Sequence, residues 1–449
     1  MAVSRSTIAA IRFGYGLSAD AAPPADGAAL LDGLSAAATT PLLAEPTPLR
    51  SRLRRLREVN QQKKREGDTE EVKAARRQMM RDTRQDLFDH LVQRAEGPSA
   101  FFERICAFWS DHFTVSARGP LQRHLAPAYE PETIRPNVMG RFEDMLIAVT
   151  RSPMMLHYLD QGLSIGPGSR VGKRRGRGLN ENFARELLEL HTLGVDGPYT
   201  QDDVRQLAEL LTGFSIDRRK GGFVYRPNIA EPGPETVLGR SYGGGRPRVD
   251  QVDRALTDLA HHPVTARHLA RKLAVHFTAD NPDPKLIAHL ERVWTDTGGD
   301  LPQVYAALVE HPASWATFGA KVKKPAEFVV SVLCATRLHR AIGRTNKGRH
   351  DILTALRELN QPLFAAPGPD GWPEAAEAWI TPQGLAARLA FASTVGHQLA
   401  RDRTADPRDF ARMALGDTLR DDTAFAVGAA PDRWEGFALA LASPEFNRR

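Results

Sequence analysis

The segment LNENFARELLELHTLG, residues 179–194, indicates the fold class of this chain most clearly. Asn180 suits a helix N-cap, and Gly194 is typical of the residue that ends a helix in the left-handed conformation. Thr200 with Asp203 three residues later forms an acidic variant of the capping box, which predicts the start of a second helix. Because the connection between the two helices is short, we expect them to pack as a hairpin.

One stripe of the first helix is polar. At 100° per residue it carries Asn182, Glu186 and Glu189, with Arg185 at its edge. Carboxylates that face a protein interior are expensive unless they are paired or bind a metal. If the stripe faces inward, Glu186 and Glu189 are candidate acid/base groups or ligands of a divalent metal ion, and Asn182 and Arg185 are candidate orienting groups. Two alternatives remain open, namely a structural network in which arginines such as Arg185 neutralise the glutamates, and metal-free catalysis or ligand binding.

A second candidate segment is FWSDHFTVS, residues 108–116, at the end of an apolar helix. His112 lies near the C-terminus of that helix, where the dipole favours a positive charge, so we expect it to hold a proton more readily than free histidine. It could act as a general base, as a metal ligand with Glu186 and Glu189, or as a cation that satisfies terminal carbonyl groups. The leading hypothesis places a catalytic or metal centre between the helices predicted at 99–113 and 181–193.

Helical periodicity extends along most of the 449 residues and predicts an all-α fold built as one large multi-helix unit. The exception is 214–245, where alternating aromatic and β-branched residues between turns predict a small β-hairpin or irregular insertion. Residues 50–94 are rich in Arg, Lys, Glu and Gln and predict one or two long exposed helices. We therefore divide the chain into an N-terminal helical region, 1–98, and a helical core, 99–449.

Composition excludes several classes of protein. Apolar residues at 42% and charged residues at 25% are ordinary for a globular chain, and the two cysteines are too few for a disulfide framework. The net charge of +6 is weak, and no aromatic residues are interleaved with the basic run near residue 55, so nucleic acid is disfavoured as a partner. No apolar run is long enough to span a membrane, so we expect no membrane insertion. The absence of a recognisable export signal makes the cytoplasm the default location.

Motifs distributed over nearly the whole chain resemble the large bacterial family known as domain of unknown function 1800. The resemblance implies one continuous helical unit and carries no established reaction or cofactor. The matching segments are FWSDHF (108–113), RSPMMLHYLD (151–160), NENFARELLELHTLG (180–194), YTQDDV (199–204), LTGF (211–214), VLG (237–239), HPVTARHLARKLAVHF (262–277), TGGDL (297–301), DGWPEAAEAW (370–379) and SPEFNRR (443–449).

The resemblance adds two expectations. Family members usually carry a His-Asp pair ahead of the VLG turn, where this chain has Ala230 and Glu231; if that pair were catalytic or bound metal, this member would be altered or inactive. The family's association with secreted sulfatase-like proteins implies an alternative function, that of a non-catalytic accessory protein that binds or matures such a partner. The basic helices and the basic loop 166–178 would then be contact surfaces, and co-export with the partner would place the protein in the periplasm.

Overall fold

The computed structural model describes residues 3–175, 178–217, 221–316 and 318–449, and most of them are helical, as the periodicity predicts. The α-helices, in chain order, are α1 (Arg5–Ile8), α2 (Gly27–Ala38), α3 (Leu49–Glu66), α4 (Glu70–Glu96), α5 (Ala100–His112), α6 (Pro120–Leu125), α7 (Phe142–Thr150), α8 (Pro153–Tyr158), α9 (Gly172–Arg175), α10 (Asn182–Glu186), α11 (Gln201–Leu210), α12 (Val249–Ala260), α13 (Pro263–Phe277), α14 (Pro284–Thr297), α15 (Leu301–Glu310), α16 (Pro325–Thr336), α17 (His339–Ile342), α18 (Asn346–Glu358), α19 (Pro382–Leu399), α20 (Pro407–Leu415), α21 (Asp421–Ala429) and α22 (Arg433–Ala442).

Short helices of other types complete the chain. The 3₁₀ turns are Ala126–Ala128, Arg135–Asn137, Gln161–Leu163, Pro312–Ser314, Ala376–Ala378 and Gly416–Thr418. The π-helical segments are Ala9–Phe13, Glu130–Ile134 and Leu187–Thr192. The last of these continues directly from α10, so the helix predicted at 181–193 changes from α to π hydrogen bonding halfway along. Such π-segments are rare and are found frequently at functional sites.

The strand-like interval forms two separate antiparallel pairs. Strand β1 (Phe214–Ile216) pairs with β2 (Phe223–Tyr225), and β3 (Pro234–Val237) pairs with β4 (Arg240–Gly243). The small β insertion predicted at 214–245 is confirmed, with residues 218–220 of it outside the described part of the chain.

Two hydrophobic cores hold the helices together. The larger one joins α2, α5, α7 and α11–α15 around buried aromatic residues such as Phe101 and Trp109. The second joins α4, α16, α18, α19 and α22 around Phe328 and Leu333. Residues on both sides of position 98 contribute to each core, as Phe13 does in the first and Phe88 in the second.

The charged region 50–94 forms α3 and α4, which pack on each other through a small cluster containing Val59, Val72 and Met79. This agrees with the long exposed helices predicted from composition. Within the described ranges, no helix combines the length and the apolar character needed to cross a membrane.

Candidate functional site

The C-terminal end of α5 meets three distant segments of the chain in a cluster of charged side chains. Lys324, just before α16, donates from Nζ to Asp111 Oδ2 at 3.0 Å and to Glu374 Oε1 at 2.9 Å. The backbone N–H of Trp372 donates to the other oxygen of Asp111 at 3.0 Å. Asp111 lies in the segment 108–113, and Trp372 and Glu374 lie in the segment 370–379, so two motifs that are distant in the sequence converge at one place in the fold.

Glu374 also orients an imidazole. His276 Nδ1 lies 2.7 Å from Glu374 Oε1, and His276 Nε2 lies 3.1 Å from an Arg104 guanidinium nitrogen. Because arginine only donates and an ionised carboxylate only accepts, His276 carries its proton on Nδ1 and accepts at Nε2. Burial lowers the pKa of His276 to about 3 against the opposing charge of Glu374, so the imidazole is neutral at neutral pH.

Several other charges around this cluster are paired. Arg449 binds both oxygens of Glu327 at 3.0 Å, and Arg104 lies 3.2 Å from the same carboxylate. Lys321 donates to Asp280 at 2.6 Å and lies 3.0 Å from Glu374 Oε2. A buried charge needs such partners, because an isolated one is strongly destabilising.

The pairing determines the ionisation of the central groups. Burial would lower the pKa of Lys324, but the charges of Asp111 and Glu374 outweigh it, so the net effect is a raised pKa. Burial would raise the pKa of Glu374, yet Lys324, His276 and Lys321 together hold it well below its ordinary value. The centre is therefore an ammonium–carboxylate pair beside a neutral imidazole.

A cavity of about 80 Å³ lies next to this cluster, and Arg104, Asp111, His276, Lys324 and Trp372 line it. This volume accommodates several water molecules or part of a small polar ligand. Arg104 Nε is buried there without a hydrogen-bond partner among the described residues. An unsatisfied buried donor costs about 1–3 kcal/mol, which an acceptor on a ligand or water would recover.

The candidate residue His112 lies against the helix that carries the two glutamates. It is 2% exposed, and its Nε2 donates to the backbone carbonyl of His191 at 3.2 Å. The expectation that the helix dipole makes it hold a proton is wrong, because burial, followed by the nearby charge of Lys272, lowers the pKa of His112 well below its ordinary value. His112 is therefore a neutral imidazole.

The polar stripe of α10 does not point into the core. Its opposite side is the buried one, as Ala184, Leu187 and His191 show, and Asn182 is exposed. Arg185 donates to Glu189 at 3.1 Å, with both side chains partly exposed. For this pair the structure has the neutralising network that the sequence left open as an alternative to a metal site.

Glu186 is different from Glu189. It is partly buried, and burial, followed by the charges of Glu189 and Asp370, raises the pKa of Glu186 to about 7. Asp370 belongs to the same loop as Trp372 and Glu374, so Glu186 is electrostatically coupled to this loop. A carboxyl group that titrates near neutral pH is suited to acid/base chemistry.

The predicted set of His112, Glu186 and Glu189 is not assembled into a metal site. In the ranges that the structure describes, no three His, Cys, Asp or Glu side chains are grouped so that they could hold a metal ion. The largest charge effects on His112 come from Lys272, His191 and His268 rather than from either glutamate.

Glu231, at the position where the family resemblance leads us to expect the second residue of a His-Asp pair, holds the basic loop. Both of its carboxylate oxygens accept from the backbone N–H of Gly168, at 2.8 and 3.1 Å. Ala230 is buried beside it. Lys173 and Arg174 of the predicted contact loop are exposed, whereas residues 176–177 lie outside the described part of the chain.

Sequence reasoning missed most of the charged cluster. Lys321, Lys324 and Glu327 lie in KVKKPAEF, a segment that carries an unusual density of lysines at the start of a helix. The four-residue spacing of His268, Lys272 and His276 also places these three side chains on one face of α13. Those two patterns are the signals that could have pointed to the site.

Comparisons with known proteins bear on the family rather than on the reaction. No curated protein and no solved structure matches the chain. A family match covers residues 8–448. The chain therefore belongs to the family described as protein of unknown function, DUF1800.

Proposed function

We propose that this protein is an enzyme that transfers protons to and from a small polar substrate, and that its centre is the cavity at the end of α5. The observation that carries the proposal is the 2.7 Å contact between Glu374 and His276 beside that cavity. A carboxylate that orients an imidazole through Nδ1, and so directs Nε2 elsewhere, is the arrangement used in general acid–base catalysis.

Each residue of the cluster has a role in this proposal. His276 is the group that accepts and returns a proton at Nε2, and Glu374 fixes its tautomer and stabilises the imidazolium that forms. Arg104 donates to Nε2 at 3.1 Å. A substrate oxygen that accepts from Arg104 would leave Nε2 free. Lys324, held by Asp111 and Glu374, supplies positive charge at the cavity wall.

The enzyme hypothesis drawn from the sequence is kept, but the catalytic group is now His276 rather than His112. The helix that ends at His112 still contributes, through Asp111 rather than through the imidazole. Glu186, with its pKa near 7, lies close enough to Asp370 to influence the same loop electrostatically. Glu186 is thus a second titratable group coupled to the loop that carries Glu374.

The test screens compounds for conversion by the wild type and by a variant that is expected to fold normally but to lack the proton-transfer group. Purified protein is incubated with a panel of small phosphorylated, sulfated and carboxylated compounds, and each mixture is followed by proton and phosphorus NMR. In His276→Gln the amide can still donate and accept hydrogen bonds but cannot carry a proton. We expect the wild type to convert at least one compound and the variant to bind it without converting it. Equal conversion by both proteins would contradict the assignment of His276.

The accessory role beside a sulfatase-like partner stays a prediction from the family resemblance. The basic loop that would make the contact is anchored by Glu231 at Gly168, and part of it lies outside the described residues. Periplasmic location by co-export depends on this same proposal.

A further inference from the structure

Lys272 is the central member of the stripe on α13 that also carries His268 and His276. It is partly buried. Its ammonium group lies within electrostatic reach of Asp111 and Lys324, and of Asp370 and Glu374 on the loop that follows α18. The imidazoles of His112, His191 and His268 are each influenced by the Lys272 charge as well.

Lys272 has no partner for its charge. Among the described residues, Nζ makes neither an ion pair nor a hydrogen bond, in contrast to Lys321 and Lys324. The nearby carboxylates are already engaged, because Asp111 accepts from Lys324 and Trp372, and Glu374 is shared among Lys324, Lys321 and His276. Asp370 is exposed and is not in contact with the ammonium group.

The surrounding imidazoles do not carry the charge. Burial lowers the pKa of His191 to about 3 and that of His268 to about 4. His112 donates from Nε2 to a carbonyl, so its Nδ1, which has no partner, can only accept. Within the part of the chain described, Lys272 is therefore a positive charge without an ion-pair partner on the face of α13 that also carries His276.

We infer that Lys272 receives the negatively charged oxygen group of the substrate, so that the enzyme acts on a small oxyanion-bearing compound. This inference rests on the proposed function and adds the substrate class to it. A partly desolvated ammonium without a partner is unfavourable, and a bound oxyanion supplies the missing hydrogen bonds and the missing charge. Lys272 precedes His276 by one helical turn, so an oxyanion bound by Lys272 lies on the same face of α13 as His276.

The experiment measures binding of inorganic phosphate, sulfate and acetate to the full chain by calorimetry and thermal unfolding at constant ionic strength. We expect saturable binding of at least one of these anions to the wild type. Lys272→Met should weaken it by about tenfold or more, whereas Lys272→Arg should retain most of the affinity. Asp370→Asn removes a neighbouring negative charge and should strengthen anion binding.

Arg271→Met is the matched control, because Arg271 is the adjacent residue on the same helix and is exposed. It should bind the anions as the wild type does. Lys272→Met should also be at least as stable as the wild type without anion, because it removes an unpaired charge. Unchanged anion affinity in Lys272→Met, or no saturable binding of any of the three anions to the wild type, would overturn the inference.

Failure of this inference and failure of the proposed function give different results. If His276→Gln abolishes conversion while Lys272→Met leaves anion binding intact, the catalytic centre stands and Lys272 is not its anchor. If Lys272→Met abolishes anion binding while no compound is ever converted, Lys272 is an anion site in a protein that is not this enzyme.

Discussion

His276 Nδ1 and Glu374 Oε1 are 2.7 Å apart beside a cavity that His276 lines, and this contact links helix α13 to the loop that precedes α19. The same carboxylate binds Lys324 at 2.9 Å and Lys321 at 3.0 Å. One glutamate thus holds an imidazole and two ammonium groups. Removing this carboxylate should change both the stability of the protein and the pKa values of the neighbouring groups.

Glu374→Gln should lower the free energy of unfolding by about 2–4 kcal/mol, because it leaves buried ammonium groups partly uncompensated. Urea denaturation at neutral pH measures this. Glu377→Gln is the control, since Glu377 is exposed three residues further along and should change stability by less than about 0.5 kcal/mol. Equal effects of the two substitutions would show that Glu374 does not hold the cluster.

Glu186 should make stability depend on pH in a defined window. Its pKa is raised from 4.5 to about 7 in the folded protein, so between these values the folded state binds more protons than the unfolded state, and stability falls as the pH rises. Glu186→Gln should therefore stabilise the protein by about 1–2 kcal/mol at pH 8, after allowance for solvent screening, with the difference vanishing below pH 4.5.

The control for Glu186 is Glu189→Gln, which removes the partly exposed pair with Arg185. It should destabilise the protein by less than about 1 kcal/mol. Thermal unfolding of the three proteins from pH 4 to pH 8 distinguishes the two positions. A stabilisation by Glu186→Gln that is the same at every pH would mean that Glu186 does not titrate in this window.

Gly194 joins the π-segment to α11 under two constraints. Its φ is +89°, and a Cβ atom would lie 2.9 Å from His268 Nδ1. Gly194→Ala should lower stability by about 2–3 kcal/mol, from backbone strain plus displacement of the imidazole. Gly239→Ala meets only the strain, because its φ is +73° and nothing lies within 4 Å; it should lose about 1–2 kcal/mol. Equal losses of stability in the two variants would show that the contact with His268 does not contribute to the cost of Gly194→Ala.

Glu231 should control the accessibility of the basic loop. Glu231→Ala removes the acceptor of the Gly168 N–H and should let trypsin cut after the exposed Lys173 and Arg174 several times faster than in the wild type. Glu231→Gln retains an oxygen acceptor and should lie between the two. Cleavage rates followed by gel electrophoresis under native conditions provide the measurement. Identical rates in all three proteins would show that the carboxylate does not anchor the loop.

The local contacts within the helices around residues 182–210 were predictable from the sequence. The capping box at Thr200 and Asp203 forms as expected, and Arg185 pairs with Glu189 across one helical turn. Such contacts depend on spacing along one helix, which the sequence contains. The π-helical segment Leu187–Thr192 was not predictable in this way, because a 3.6-residue periodicity does not distinguish i+4 from i+5 hydrogen bonding over six residues.

The centre itself depends on contacts between distant parts of the chain. Asp111 and Lys324 are separated by 213 positions, and His276 and Glu374 by 98. No periodicity reports such a contact. The pKa of His112 was mispredicted for a similar reason. The helix dipole, which raises this pKa, can be inferred from the sequence, but the burial that lowers it more strongly is a property of the folded protein.

The most direct test of the central claim is a crystal structure of His276→Gln with a compound that the wild type converts. The account predicts that the compound lies in the cavity beside Trp372, in contact with Lys324. A compound bound away from this cavity, for example against Glu186 and Glu189, would contradict it.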